Sequence, residues 1–151
     1  MMGLSPLLEF TARIELGSAQ VIGATPAGLR RVVPILGGMF DGENMRGDIA
    51  GGADWQYERA DGATIVSARY LLKTDDGVLI QIDNNGIRHG PPEVMQRLSN
   101  GETVDARSYY FRTRPEFSAP VGRYEWLNTH LFVATAARYA TSVALEVYRI
   151  L

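Results

Sequence analysis

Residues 66–86 constrain what this chain can fold into more than any other stretch. Two apolar runs rich in β-branched residues are joined by Asp75-Asp76-Gly77, and Asp and Gly accept the positive φ that a tight hairpin demands. With a two-residue loop, one face of the hairpin carries Ser67, Arg69, Leu71, Lys73, Val78, Ile80, Ile82 and Asn84. The other face then carries Val66, Ala68, Tyr70, Leu72, Thr74, Leu79, Gln81 and Asp83. Neither face is purely polar. A hairpin that is half-apolar on both sides predicts a barrel or sandwich wall, with one face inside and the other covered, for instance by a second subunit. A three-residue loop with a bulge would break this assignment of faces.

The other runs extend the same pattern. Residues 7–16 alternate, with Leu8, Phe10, Ala12, Ile14 and Leu16 on a core face and Leu7, Glu9, Thr11, Arg13 and Glu15 opposite. Residues 19–23 form a short second run, Thr25-Pro26-Ala27-Gly28 a turn, and 29–36 a strand whose Pro34 predicts an edge or a bulge. The glycine-dense segment 37–55 lacks any phosphate-binding spacing, so its glycines are read as bends and close approaches at barrel corners. Residues 92–98 are the helix candidate, with prolines at the start, Glu93 in the first turn and Asn100-Gly101 as the stop. Being short, it reads as a plug or lid at one end. Residues 109–113, 126–137 and 142–150 are further strands. With no solenoid repeat and no linker, residues 1–151 are expected to form a single all-β domain. Its expected architecture is a compact antiparallel β-barrel, lipocalin-like, closed or nearly closed, with one short helix.

Composition narrows the chemistry. Fifteen basic against 17 acidic residues leave a net charge of −2, which argues against nucleic acid or an anionic membrane as partner. No cysteine is present, so disulfides, thiolate catalysis and zinc–thiolate sites are excluded. His89 and His130 stand 41 positions apart and make a poor metal site, so neither metal nor cofactor is expected. The first residues show no basic, apolar leader and no window approaches the ~20 apolar residues of a membrane-spanning helix, so a cytoplasmic location is expected.

Ionisable groups set within apolar strands are the best functional clue, because a charge held in a barrel wall must be paired or used. Asp54, Arg69, Tyr110 and Arg112 are the candidate catalytic residues: Asp54 as general base, the arginines and tyrosine polarising an oxygen or holding an enolate. Trp55, Tyr70, Trp126, Asn128 and Arg138 are candidate ligand-binding residues. Alternation on the run 126–137 puts Trp126, Asn128 and Phe132 on one face, with Arg138 further along it. The competing reading is that Asp54 pairs with an arginine in a buried polar network that fixes the barrel register. Glu125 and His130 read as solvated strand-end or loop positions, and His89 as loop.

Several motifs together resemble the uncharacterised bacterial and fungal family DUF3237, also known as UPF0311. They are Pro34-Ile35-Leu36-Gly37-Gly38 with Phe40 and Gly42, Arg46-Gly47 with Gly51-Gly52-Ala53-Asp54-Trp55, and Ala68-Arg69-Tyr70 through Gly77. Leu98 with Gly101-Glu102, Tyr109 to Thr113 with Pro115 and Phe117, and Trp126-Leu127-Asn128 with Leu131-Phe132-Val133 and Arg138 complete the set. The resemblance covers nearly the whole chain in order. It implies a compact β-barrel that self-associates, and no general activity. The expected function is binding of a small hydrophobic or aromatic carbonyl compound inside the barrel, with metal-free acid–base chemistry of isomerase, cyclase or lyase type. The alternatives are a non-catalytic lipocalin-like binder and an oligomeric barrel with a filled core.

Overall fold

The computed structural model describes residues 2–151. Among them nine strands follow in chain order: β1 (Pro6–Leu16), β2 (Gln20–Thr25), β3 (Gly28–Asp41), β4 (Arg46–Glu58), β5 (Thr64–Thr74), β6 (Leu79–His89), β7 (Tyr110–Ser118), β8 (Phe132–Arg138) and β9 (Ser142–Ile150). The helix α1 (Pro92–Ser99) lies between β6 and β7. Antiparallel pairing runs from β1 through β9, β8, β7, β6, β5 and β4 to β3, and β3 pairs back onto β1. Eight strands therefore close into a barrel, with β2 attached outside the ring to the first part of β3. Closure leaves no free edge in the ring, which is the usual solution for an antiparallel sheet of this size.

β3 serves two neighbours in turn. Its first residues pair with β2, and from Ile35 onward it pairs with β1. Pro34 stands at the change of partner, where its missing N–H costs nothing, and its carbonyl accepts from the Gly17 N–H at 2.8 Å. Further along, Gly38 has φ +142°, and a Cβ there would run into the Arg13 carbonyl of β1. The expected role of these glycines, close backbone approach in a strongly bent wall, holds at this crossing.

The central hairpin corrects the expected loop. Thr74 N–H donates to the Val78 carbonyl and Gly77 N–H to the Thr74 carbonyl, both at 2.9 Å, so three residues (75–77) form the loop, with Gly77 at φ +87°. Leu72 then faces Ile80, Tyr70 faces Ile82, and Ala68 faces Asn84. The extra residue turns β6 over relative to a two-residue reading. Val66, Ala68, Tyr70 and Leu72 share the inner face with Ile80, Ile82 and Asn84, while Arg69, Leu71 and Lys73 share the outer face with Leu79, Gln81 and Asp83. The two mixed faces resolve into one apolar and one largely polar face, and the hairpin by itself no longer calls for a covering subunit.

One end of the barrel is filled. Phe10, Phe40, Phe117 and Phe132 meet edge-to-face at centroid separations of 4.8 to 6.2 Å, and Met45, Tyr124 and Leu127 are buried in the same core cluster. Burying each such side chain contributes about 1.5–3 kcal/mol. Two strand expectations are corrected here. Residues 126–137 are not one strand: Glu125–Thr129 is a 3-10 turn, and the strand starts only at Phe132. In β1 the register shifts between Leu8 and Phe10, which turns Glu9 inward onto Arg149 at 2.9 Å and leaves Leu8 exposed. β7 is longer than the expected 109–113 and carries Phe111, Thr113, Pro115 and Phe117 inside. The helix candidate is realised as α1 and lies over the opposite, open end. No helix among the described residues is long and apolar enough to cross a membrane.

Candidate functional site

Alternation along β4 sets Asp54, Gln56 and Glu58 on one face, opposite the inward Ala68, Val66 and Thr64 of β5. β4 runs toward the open end, so Gln56 lies nearer the mouth than Asp54. β3 brings Arg31 beside Gln56, β6 brings Arg88 beside Thr64, and β8 ends there with Arg138. α1 covers the opening with Met95, Gln96 and Leu98, enclosing a cavity of about 410 Å³ lined also by Arg31, Val33, Gln56, Glu58, Arg88 and Arg138.

A line of hydrogen bonds crosses this space. Arg31 Nε donates to Gln56 Oε1 at 2.7 Å, and Gln56 Nε2 donates to Asp54 Oδ2 at 2.6 Å. The guanidinium has only donors, which fixes the Gln56 amide so that its NH₂ faces the carboxylate. Asp54 Oδ1 accepts from the Ser67 backbone N–H at 3.0 Å, and Arg31 also reaches Glu58 at 3.3 Å. Asp54 thus has a donor on each oxygen and stands in no ion pair among the described residues.

Burial dominates the electrostatics. It raises the Asp54 carboxyl above its ordinary value, against the opposing pull of Gln56, the Ser67 N–H and the charges of Arg88 and Arg138. Burial, reinforced by the Asp54 charge, lifts the Tyr70 phenol well above its usual range and keeps it a protonated donor; Asn84 lies beside it. Burial also lowers Arg88 to about 10, helped by the neighbouring Arg138 and Arg31 charges, and lowers Arg138 against the opposing pull of Asp54. Arg88 is only 7% exposed, its Nε has no hydrogen-bond partner, and its guanidinium carbon sits 5.0 Å from the Phe111 ring centre. A carboxylate of raised basicity, a neutral phenol and two guanidinium groups can together move a proton and hold the oxyanion it leaves behind.

The residues singled out from sequence divide into three places. Asp54, Tyr70 and Arg138 belong to the interior set. Tyr110 and Arg112 lie on the outer wall, a correction of their expected interior position, since Phe111 and Thr113 point inward on β7; the ligand-binding candidate Trp55 is on the outer wall too. They do meet, in an outer groove of about 980 Å³, where Arg112 stacks on Tyr110 at 5.5 Å and Arg30 lies 5.4 Å from Trp55. Arg69 is also outside, paired with Asp83 at 2.5 Å. Trp126 and Asn128 lie at the filled end, because the 3-10 turn takes them out of the wall. Asn128 holds the Ala119 backbone and the Glu125 carbonyl, and Trp126 rests on Phe132 beneath Arg149.

Although larger, the outer groove is open and its lining includes no carboxylate; the mouth cavity is lined by the unpartnered buried cation Arg88 and by Gln56, behind which the raised Asp54 carboxyl lies. Sequence reasoning passed over Arg31, Gln56, Arg88 and the Tyr109 hydroxyl that accepts the Arg138 N–H at 2.9 Å. Two signals were available: the shared parity of Asp54, Gln56 and Glu58, and Arg88 beside Ile87 in an apolar strand. No group of three or more His, Asp or Glu among the described residues is placed to hold a metal ion.

A family model described as "Protein of unknown function (DUF3237)" matches residues 3–150. A UPF0311 protein from Rhodopseudomonas palustris is 40% identical over 153 residues, spanning 98% of this chain and all of the relative. The crystal structure of a conserved protein of unknown function from the same species superposes with a TM-score of 0.96 at 39% identity, with both chains fully covered. A crystal structure of a protein from Penicillium herquei, described as an enzyme, shares the fold at a TM-score of 0.71 and 22% identity, covering 99% of this chain and 94% of that one.

Proposed function

The chain belongs to the DUF3237 family, and from that premise we propose that its barrel mouth binds a small carbonyl compound and moves a proton on it without a metal. Asp54 is the base, held by Gln56 and the Ser67 N–H. Tyr70 and the Arg88–Arg138 pair face the oxygen on which charge develops, and Val33, Met95 and Leu98 receive the hydrophobic or aromatic part. The observation that carries this reading is Asp54 itself: a half-buried carboxyl on the inner face behind Gln56, raised in pKa, with donors on both oxygens and no ion pair to neutralise it. A carboxyl raised in this direction is a stronger base than an ordinary aspartate, which is the direction acid–base catalysis uses. The Penicillium herquei protein called an enzyme lends the fold-level analogy and nothing finer.

Proton abstraction can be read without knowing the full reaction. Phenylpyruvate, 2-tetralone and cyclohexane-1,3-dione are incubated with the protein in D₂O and loss of the α-proton signals is followed by NMR. Wild type exchanges at least one of them, and Asp54→Asn slows that exchange by about 100-fold or more. An Asp54→Asn protein that exchanges as fast as wild type overturns the assignment. The second reading, a binder without turnover, is favoured by one feature: Gln56 stands between Asp54 and the opening. Tight binding of such compounds with no exchange establishes it instead.

A further inference from the structure

We propose that Arg88 and Arg138 form an anion subsite at the barrel mouth, which selects small molecules carrying a carboxylate. This deepens the proposed function, naming the group by which the substrate is held, and rests on that reading only for the chemistry that follows binding.

The charges at the mouth are unevenly matched. Of the cations lining it, Arg31 is engaged by Gln56 and Glu58, and the Asp61 carboxylate at its rim is taken by Arg59 at 2.6 Å. Arg88 and Arg138 stand in no ion pair among the described residues. Arg88 is almost wholly buried with an unpartnered Nε, and both side chains line the cavity. Two neighbouring guanidinium groups repel each other, and an unpartnered donor is costly to bury. A wall that maintains both is arranged for a negative group that arrives from outside.

The count of charges also chooses between anions. Setting aside the paired Arg31–Glu58 and Arg59–Asp61, what remains is the two guanidinium groups of the lining and, behind Gln56 and within reach of their charges, Asp54. With Asp54 ionised the remainder is a single positive charge, which a monoanion neutralises and a phosphate dianion exceeds. The planar fork of a guanidinium fits the two oxygens of a carboxylate, and a buried, dry site strengthens that fit. Pro92, Met95 and Leu98 of α1 stand over the same opening, so a flat apolar group attached to the carboxylate lies against the helix.

Calorimetric titration with phenylacetate, phenyl phosphate and phenylacetamide tests this on wild type, Arg88→Gln, Arg138→Gln, Arg138→Lys and Asp54→Asn, each first checked for folding by circular dichroism. Wild type binds phenylacetate at least about tenfold more tightly than the amide, and Arg88→Gln and Arg138→Gln each remove about tenfold or more of the phenylacetate affinity. Arg138→Lys, which keeps charge at the less buried position, recovers part of the loss, and Asp54→Asn retains binding. Equal affinity for acid and amide, or phenylacetate binding that is insensitive to both arginine changes, overturns the subsite. Tighter binding of phenyl phosphate than phenylacetate overturns its carboxylate selectivity. The two proposals fail separately: arginine-dependent phenylacetate binding without α-proton exchange leaves the subsite standing and removes the base. Exchange lost in Asp54→Asn, with phenylacetate affinity unchanged in Arg88→Gln and Arg138→Gln, does the reverse.

Discussion

Asp54 concentrates the competing effects of this interior in one side chain. Its two hydrogen bonds and the nearby Arg88 and Arg138 charges all favour the ionised form, yet removal from water outweighs them and the carboxyl is raised above 3.8. The consequence for stability has a definite sign. Below 3.8 the carboxyl is protonated in folded and unfolded chains alike and contributes nothing. As pH rises, the unfolded chain loses the proton first, so the folded state is progressively disfavoured until Asp54 itself ionises, after which the difference is constant. The stability of wild type relative to Asp54→Asn should therefore decline from about pH 3.8 through the folded pKa and then level off, in a pH series of urea unfolding. A relative stability that climbs over that window would mean the arginines dominate burial and that Asp54 is the buried partner of a structural network. Asp54 was legible in sequence as a charge beside Trp55 after a double glycine; which way its pKa moves was not, because that depends on Gln56 and on two arginines 34 and 84 positions away.

At the scale of elements, alternation located most strands, and the errors share one cause. A strand's face is fixed by its register, and register depends on single residues in loops. The third loop residue before Val78 turned β6 over, which moved Asn84 and Arg88 inside and left Asp83 outside with Arg69. On β7 the parity was legible but not the face, so Tyr110 and Arg112 were assigned inward where Phe111 and Thr113 stand. In the run 126–137 the misleading feature was apolar content without strand geometry. Asn128 supplies the reason: its Oδ1 accepts the Ala119 N–H at 2.9 Å, and its Nδ2 reaches the Ala119 and Glu125 carbonyls at 3.0 and 3.1 Å. Side-chain bonds of this kind offer the backbone an alternative to the sheet. Asn128→Ala should accordingly cost about 1–2 kcal/mol in urea unfolding. It should leave phenylacetate affinity unchanged, because the turn caps the filled end. A loss of affinity without a loss of stability would return Asn128 to the ligand site.

Over the whole molecule, the closed ring of eight strands separates stability from chemistry along the barrel axis. The four interlocked phenylalanines fill one end, while the other end carries Asp54, Arg88 and Arg138, each of which is disfavoured by its own burial. Groups kept at such a cost mark sites where function opposes stability. A barrel of this class was readable from the strand runs. The division of its interior was not, since it arises from strands far apart in sequence converging on one end. The two ends should respond oppositely to substitution. Phe117→Leu at the filled end opens a cavity among the aromatic rings and should lower stability by about 1–2 kcal/mol while phenylacetate affinity stays within about twofold. Arg138→Gln at the mouth relieves a buried charge while keeping the backbone N–H that the Tyr109 hydroxyl accepts, so its unfolding midpoint should hold or rise as the affinity falls. Urea midpoints and calorimetric affinities measured on the same two preparations check this. If affinity falls in step with stability in both variants, the interior is one cooperative unit and the mouth is not a separately built site.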